Sequence, residues 1–318
     1  DQDLKASFVY LELIQFPDFN PFLFGPVQLG NFPLGIRWYS LAYVVGLVGG
    51  VWLAARMIKT WGDSVTSKDL DNLFIWFVVG VVVGGRVFYV LFYGLTTSPH
   101  MYSNPISWVA AWEGGMSFQG GMLGVSLAII VYAWAKKGVS MLELGDFVAA
   151  VAPIGLFLGR CANFINGELW GRQSDVPWAV LFPRAVLAEN GINATGIPED
   201  QIYSVYQSII DQGGELIGRH PSQLYEAFFE GLILFIILQL LIRTAWIRAR
   251  CGFVSGAFLL GYGAFRWSIE WLREPDALLG TLDILYPGST MGQLLSLPMI
   301  LLGSLLILWS ARRVPQTP

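Results

Sequence analysis

Charge is scarce in this chain. Only 13% of its 318 residues are Asp, Glu, Lys or Arg, roughly half the share of an ordinary soluble domain. The net charge of −4 leaves no basic stripe of the kind that nucleic acid binding requires, so nucleic acid is set aside as a partner. Histidine is scarcer still, with only His100 and His220, and the only cysteines are Cys161 and Cys251. No His/Cys/carboxylate cluster stands at ligand spacing, so neither a metal nor another cofactor is expected. A Gly-x-Ser-x-Gly elbow and a His-Glu-x-x-His helix are both missing, which removes support for an intramembrane hydrolase. Cys161 falls in an apolar run and Cys251 in a polar connection, positions that argue against a disulfide between them. The first apolar run follows a long, mixed, aromatic-rich stretch rather than a short basic one, so no cleavable signal peptide is expected.

Apolar sequence is what the chain has in abundance: 54% of residues are hydrophobic. They fall in runs near the roughly 18 to 20 residues that carry a helix across about 30 Å of hydrocarbon. The runs at 38–57, 73–92, 116–135, 144–164, 224–246, 253–272 and 293–309 read as transmembrane helices. One or two such runs would suit a soluble core, but this many do not. The expected fold class is an all-α polytopic membrane protein with about seven transmembrane helices and a small extracytoplasmic head.

Basic residues fix the expected orientation, because Lys and Arg in short loops stay on the cytoplasmic side. Arg56, Lys59 and Lys68 follow the first run, Lys136 and Lys137 the third, Arg243, Arg248 and Arg250 the fifth, and Arg312 and Arg313 the last. The opposite side holds Lys5, Arg172, Arg184, Arg219 and Arg273, spread over longer loops. The N-terminus and head are thus expected outside and the C-terminus inside.

The chain divides accordingly into an N-terminal interfacial segment (1–37), helices one to four (38–170), the head (171–222), helices five to seven (223–313) and a cytoplasmic tail (314–318). Residues 16–33, rich in Phe, Pro and Gly, suit an amphipathic piece at the outer interface. The head is assigned from its length, its acidic and amide residues, and Pro177, Pro183 and Pro198, which suit a loop with structure of its own.

An ionisable residue inside a span costs at least about 2.5 to 3.5 kcal/mol on insertion scales and is a functional candidate by default. Arg86, Arg160 and Arg266 stand out. Each alone fits a helix-locking ion pair with a residue such as Glu168 or Glu270; together they favour an anionic ligand. Arg160, Asn163, Asn166 and Gly167 share a helix face, with Glu168 and Gly171 just beyond, and Tyr262, Arg266 and Glu270 share another. Two guanidiniums with phenol and amide partners suit a phosphodiester, because Arg binds phosphate oxygens bidentately. Gly80, Gly84 and Gly85 suit close helix packing. The denser set of Gly114, Gly115, Gly120, Gly121 and Gly124 would also let the backbone approach a ligand and present Gln119 at a turn.

The run Gly159-Arg160-Cys161-Ala162-Asn163-Phe164-Ile165-Asn166-Gly167-Glu168-Leu169-Trp170-Gly171-Arg172 closely resembles the signature of the prolipoprotein diacylglyceryl transferase family. Similar matches occur at Arg37-Trp38-Tyr39, Gly84-Gly85-Arg86, Gly114-Gly115-Met116-Ser117-Phe118, Arg219-His220-Pro221-Ser222-Gln223-Leu224-Tyr225-Glu226, Gly261-Tyr262-Gly263-Ala264-Phe265-Arg266 and Ser289-Thr290-Met291-Gly292-Gln293. The resemblance implies the first step of bacterial lipoprotein maturation in the cytoplasmic (inner) membrane. A diacylglyceryl group passes from phosphatidylglycerol, a membrane lipid, to the lipobox cysteine of a prolipoprotein signal peptide, forming a thioether and releasing glycerol phosphate. Carried onto this chain, it implies that Arg160 and Arg266 hold the phosphate. Asn163, Tyr262 and Tyr39 supply hydrogen bonds, Glu168 and Glu270 orient the guanidiniums, and Gly120, Gly121, Asn166, Gly171 and Arg86 contribute to substrate binding. Arg86 serves equally well as a helix lock.

One position departs from the family pattern. Where it reads Ser-Phe-His-Gly-Gly, this chain has Ser117-Phe118-Gln119-Gly120-Gly121, and Gln cannot serve as a base near neutral pH. Three readings stay open: a base supplied by Glu168 or a tyrosinate, a substrate-binding role for the position, or a catalytically impaired lipid-binding relative. An anion or lipid transporter is the remaining alternative, against which stands the lack of an inverted repeat.

Overall fold

The computed structural model describes residues 13–20, 22–29, 32–95, 100–110, 115–275, 280–281 and 284–313. The start of the N-terminal segment, Gly114 and the tail at 314–318 lie outside these, as does the side chain of Gln119.

In chain order the long helices are α1 (Trp38–Trp61), α2 (Ser67–Phe92), α3 (Phe118–Ala135) and α4 (Met141–Ile165). Two short ones follow, α5 (Pro183–Glu189) and α6 (Glu199–Asp211), and then α7 (Ser222–Arg243), α8 (Phe253–Ile269) and α9 (Met291–Arg312). Among the described residues, α1, α2, α4, α7 and α9 are long and apolar enough to cross a membrane. The chain is a multi-pass helical membrane protein. The other two expected spans are also helical but shorter, with 18 residues in α3 and 17 in α8. Their starts and stops follow local chemistry. Thr66 and Asp69 form a capping box on α2, and the Ser117 and Ser140 side chains accept from backbone N–H groups of α3 and α4, satisfying donors that a helix start leaves orphaned.

Close packing relies on glycine. A Cβ on Gly124 would stand 1.9 Å from the Gly80 carbonyl oxygen, and one on Gly120 would stand 2.2 Å from that of Gly84, so α2 and α3 meet backbone to backbone. Gly256 and Gly303 serve α8 and α9 in the same way. Around these contacts lies an apolar core built from Leu70, Leu73, Leu144, Phe147, Leu238 and Val254. At the end of the bundle where α4 begins, Glu143 accepts from the Asp63 and Ser64 backbone, Asp146 accepts from Gly252 N–H and Ser255, and Asp69 pairs with Lys136.

At the other end of α4 the described part of the N-terminal segment is built of strands. Strand β1 (Ile14–Gln15) lies parallel to a later strand, and β2 (Phe22–Leu29) pairs antiparallel with β3 (Phe32–Arg37), which runs straight into α1. The partner of β1 is β4 (Val180–Leu181). It lies between α4 and α7, where α5 and α6 enclose a small core of Leu181, Val186, Leu187, Tyr206 and Ile209. Phe16 and Phe182 join this unit to Phe164 on α4. The Phe16 backbone N–H donates to the Tyr206 hydroxyl at 3.3 Å, so the strap at 13–20 is tied to α6.

Candidate functional site

The family-like motif ends α4 and turns back on itself. Gly167 and Leu169 both adopt left-handed conformations, with φ of 60° and 58°; Leu169 pays a steric penalty there that glycine avoids. The start of α7 holds the turn in place. The Gln223 side chain donates to the Glu168 carbonyl at 2.6 Å, and the Ser222 hydroxyl donates to the Leu169 carbonyl at 3.1 Å. Gly171 donates its N–H to the His220 carbonyl at 2.8 Å. A Cβ at this position would meet the Leu272 carbonyl oxygen at 2.5 Å and His220 at 2.6 Å, so Gly171 is needed for close packing of three segments.

Arg160 and Arg266 point into one cluster. Arg160 Nε lies 2.8 Å from Glu226 and its Nη2 lies 3.6 Å from Glu230, while Arg266 reaches Glu226 at 2.7 Å and Glu270 at 2.8 Å. Arg273, expected in an outer loop, is buried and lies 3.0 Å from Glu226. Glu226 is therefore the hub of three guanidiniums. It sits at the start of a π-helical stretch within α7, Ala227–Ile233, which also carries Glu230; such wide turns recur at functional sites. Both carboxylates are fully buried, whereas the Arg160 and Arg266 side chains retain 16% and 11% exposure. Both arginines are braced by these buried carboxylates.

Glu270 is held from the far side. The Thr290 hydroxyl donates to it at 2.9 Å, while Thr290 and Gln293 form the capping box that starts α9. A Cβ on Gly292 would stand 2.6 Å from the Glu270 carboxylate, so this motif's glycine makes room for the acid. Tyr262 is buried on α8 one turn before Arg266 and lies within electrostatic range of Arg160 and Glu230.

The remaining expected residues lie apart from this cluster. Asn163 donates to Glu168 at 2.9 Å and Asn166 does so at 3.5 Å. Glu168 thus faces amides, and the carboxylates beside Arg160 are Glu226 and Glu230. Tyr39 accepts from the Tyr43 hydroxyl at 3.3 Å, and Tyr43 lies within electrostatic range of Arg160 and Glu168. Arg86 donates to the carbonyls of Ser107 at 2.6 Å and Gly115 at 3.3 Å, clamping the connection into α3. Gly120 lies in the α2–α3 contact, and Gly121 opposite Val81. A cavity of about 120 Å³ between strap, turn and the α5–α6 unit is lined by Phe16, Asn166, Glu168, Arg184, Glu199 and Tyr203.

Glu226, Glu230 and Arg273 were not singled out from the sequence. Glu230 falls in an apolar stretch, where an acid is itself a signal. In the sequence Glu226 is only the last residue of a motif.

Fold and site together define a multi-pass membrane protein with a buried, charge-balanced arginine–carboxylate centre beside a small helical unit. Known proteins give this class a family. The model of the prolipoprotein diacylglyceryl transferase family matches residues 26–309. The phosphatidylglycerol–prolipoprotein diacylglyceryl transferase of Azospirillum brasilense is 45% identical, over 94% of this chain and 97% of its own length. Those of Pseudoalteromonas translucida and Proteus mirabilis are 42% and 43% identical, over 95% and 97% of this chain and 97% and 98% of their own. The chain belongs to the prolipoprotein diacylglyceryl transferase family.

Proposed function

We propose that the protein transfers the diacylglyceryl group of phosphatidylglycerol to the lipobox cysteine thiol of prolipoproteins, forming a thioether and releasing glycerol phosphate. The observation that carries this reading is the pair of guanidiniums braced by a fully buried Glu226, with part of each arginine side chain still exposed. Cations fixed in this way can bind the lipid phosphate and stabilise the negative charge that grows on it as the glyceryl carbon–oxygen bond breaks. The thiolate is the attacking species. Tyr262, Asn163 and Tyr39 supply hydrogen bonds around the lipid, Glu270 fixes Arg266, and Glu168 with Asn166 shapes the turn facing the head. Arg86, Gly120, Gly121 and Gly171 support the site by packing and by holding loops.

In this reading α3 and α8 also cross the membrane, giving about seven spans. The unit at 171–222 is an extracytoplasmic head, the C-terminus is cytoplasmic, and the membrane is the bacterial inner membrane. The regular placement of basic residues supports this orientation.

The test is reconstitution of the purified protein with phosphatidylglycerol and a lipobox peptide. Thioether formation with stoichiometric glycerol phosphate is expected; lipid or anion movement without it would overturn the reading in favour of transport. Gln119, in place of the family histidine, favours one second reading, an impaired relative. On that reading the thioether forms only in the Gln119→His protein.

A further inference from the structure

The three guanidiniums of Arg160, Arg266 and Arg273 face three carboxylates, Glu226, Glu230 and Glu270. With all six ionised the centre is neutral. These carboxylates are not equivalent. Glu226 has three guanidinium nitrogens within 3.0 Å, and Glu270 has Arg266 at 2.8 Å and the Thr290 hydroxyl at 2.9 Å. Glu230 is fully buried, neither of its oxygens has a hydrogen-bond partner among the described residues, and its contact with Arg160 is 3.6 Å long. A buried acid left in that state is costly as an anion. It is the member of the cluster that loses least by taking a proton.

Resting on the transfer reaction above, the charge count assigns that proton. A bound phosphodiester brings one negative charge to the neutral centre. Transfer then removes a proton from the thiol and leaves a phosphate monoester with one further negative charge. If the proton went to bulk water, the buried site would carry that extra charge alone, at a cost that low dielectric magnifies. We propose that Glu230 accepts the thiol proton. The S–H bond breaks with its proton passing to a Glu230 oxygen, and sulfur bonds to the glyceryl carbon. The carbon–oxygen bond to phosphate breaks with its electron pair staying on the phosphate oxygen, and the net charge of the centre is the same before and after. Glu230 returns the proton to water when glycerol phosphate leaves. The groups facing it are Arg160 from α4, Glu226 from α7 itself, Tyr262 and Arg266 from α8, and Arg273 beyond α8. Such an acceptor replaces chemistry that Gln119 cannot perform.

The test compares native protein, Glu230→Gln and Glu230→Asp in detergent, with phosphatidylglycerol and a lipobox peptide across a pH series. Native turnover is expected to fall as pH drops and the acceptor fills. Glu230→Gln should retain lipid binding, lose roughly 10² or more in kcat, as loss of acid–base assistance does, and show no such acid limb. Glu230→Asp should recover part of the rate together with the limb. A folded Glu230→Gln protein with native kcat and pH profile would overturn the proposal while leaving the transfer reading intact; absence of thioether in the native protein strikes at the transfer reading instead. Should Glu230→Gln fail to fold, infrared difference spectra of native and Glu230→Asp protein decide. A protonated-carboxyl band that appears on turnover and shifts in Glu230→Asp supports the assignment, and a band identical in both contradicts it.

Discussion

At the scale of single residues, the buried ion pairs change how the arginines are best tested. Removing one partner of a buried pair typically costs about 3 to 5 kcal/mol in stability, so Arg160→Ala and Arg266→Ala mix lost chemistry with lost folding. Arg266→Lys keeps a cation against Glu226 and Glu270 but loses the planar fork. It should fold, and its transfer rate should fall about 10- to 100-fold, the scale of one charge-assisted hydrogen bond of roughly 1.5 to 3 kcal/mol. Arg86 behaves differently, since its guanidinium is spent on the Ser107 and Gly115 carbonyls. Arg86→Lys should lower the unfolding temperature more than kcat, as read by thermal unfolding and steady-state kinetics on one preparation. His220 adds a pH term in the head. Partial burial lowers its pKa below the usual 6.5, so the unfolded chain binds more protons in the window just below that value. The stability this group contributes is present above pH 6.5 and lost as pH falls through the window.

At the scale of elements, two contacts are open to direct test. Alanine at Gly124 would place a methyl group 1.9 Å from the Gly80 carbonyl oxygen, forcing α2 and α3 apart. The expected loss is at least the roughly 1 to 3 kcal/mol of ordinary overpacking, seen as a lower midpoint of thermal unfolding, whereas Gly49→Ala, which meets nothing within 4 Å, should leave it unchanged. The second contact ties strap to head. Tyr206→Phe removes the acceptor of the Phe16 N–H and strands a buried donor, at a cost of about 1 to 3 kcal/mol; faster hydrogen exchange at residues 13–16 checks it. The helices themselves were legible because long apolar runs and basic loops state them directly. Glu226 and Arg273 were not, because a hub is a property of three elements meeting: α4, α7 and α8 are joined by charges that sequence spacing leaves dozens of residues apart. Gly120 shows the same limit. Its neighbours in sequence suggest a ligand-facing turn, while its contact with Gly84 of another helix is visible only in the fold.

At the scale of the whole molecule, the bundle places the arginine–carboxylate cluster near one end, beside the small unit between α4 and α7. The basic loops predict that residue 140 is cytoplasmic and residue 195 extracytoplasmic, and single-cysteine labelling from each side checks both. If residues 191–198 are replaced by a Gly/Ser linker, which leaves the Arg37–Glu199 pair in place, KM for the peptide should rise more than kcat falls, the outcome that a recruiting role for the unit between α4 and α7 requires. Of the three guanidiniums gathered on Glu226, those of Arg160 and Arg266 are proposed to hold the phosphate of the reacting lipid. The most direct measurement is glycerol phosphate release by Arg160→Ala and Arg266→Ala proteins shown to be folded. Each is expected to lose about 10² to 10³ in rate, the worth of a fixed charge-stabilising donor, and near-native release from a folded Arg266→Ala protein would show that Arg266 does not hold the phosphate.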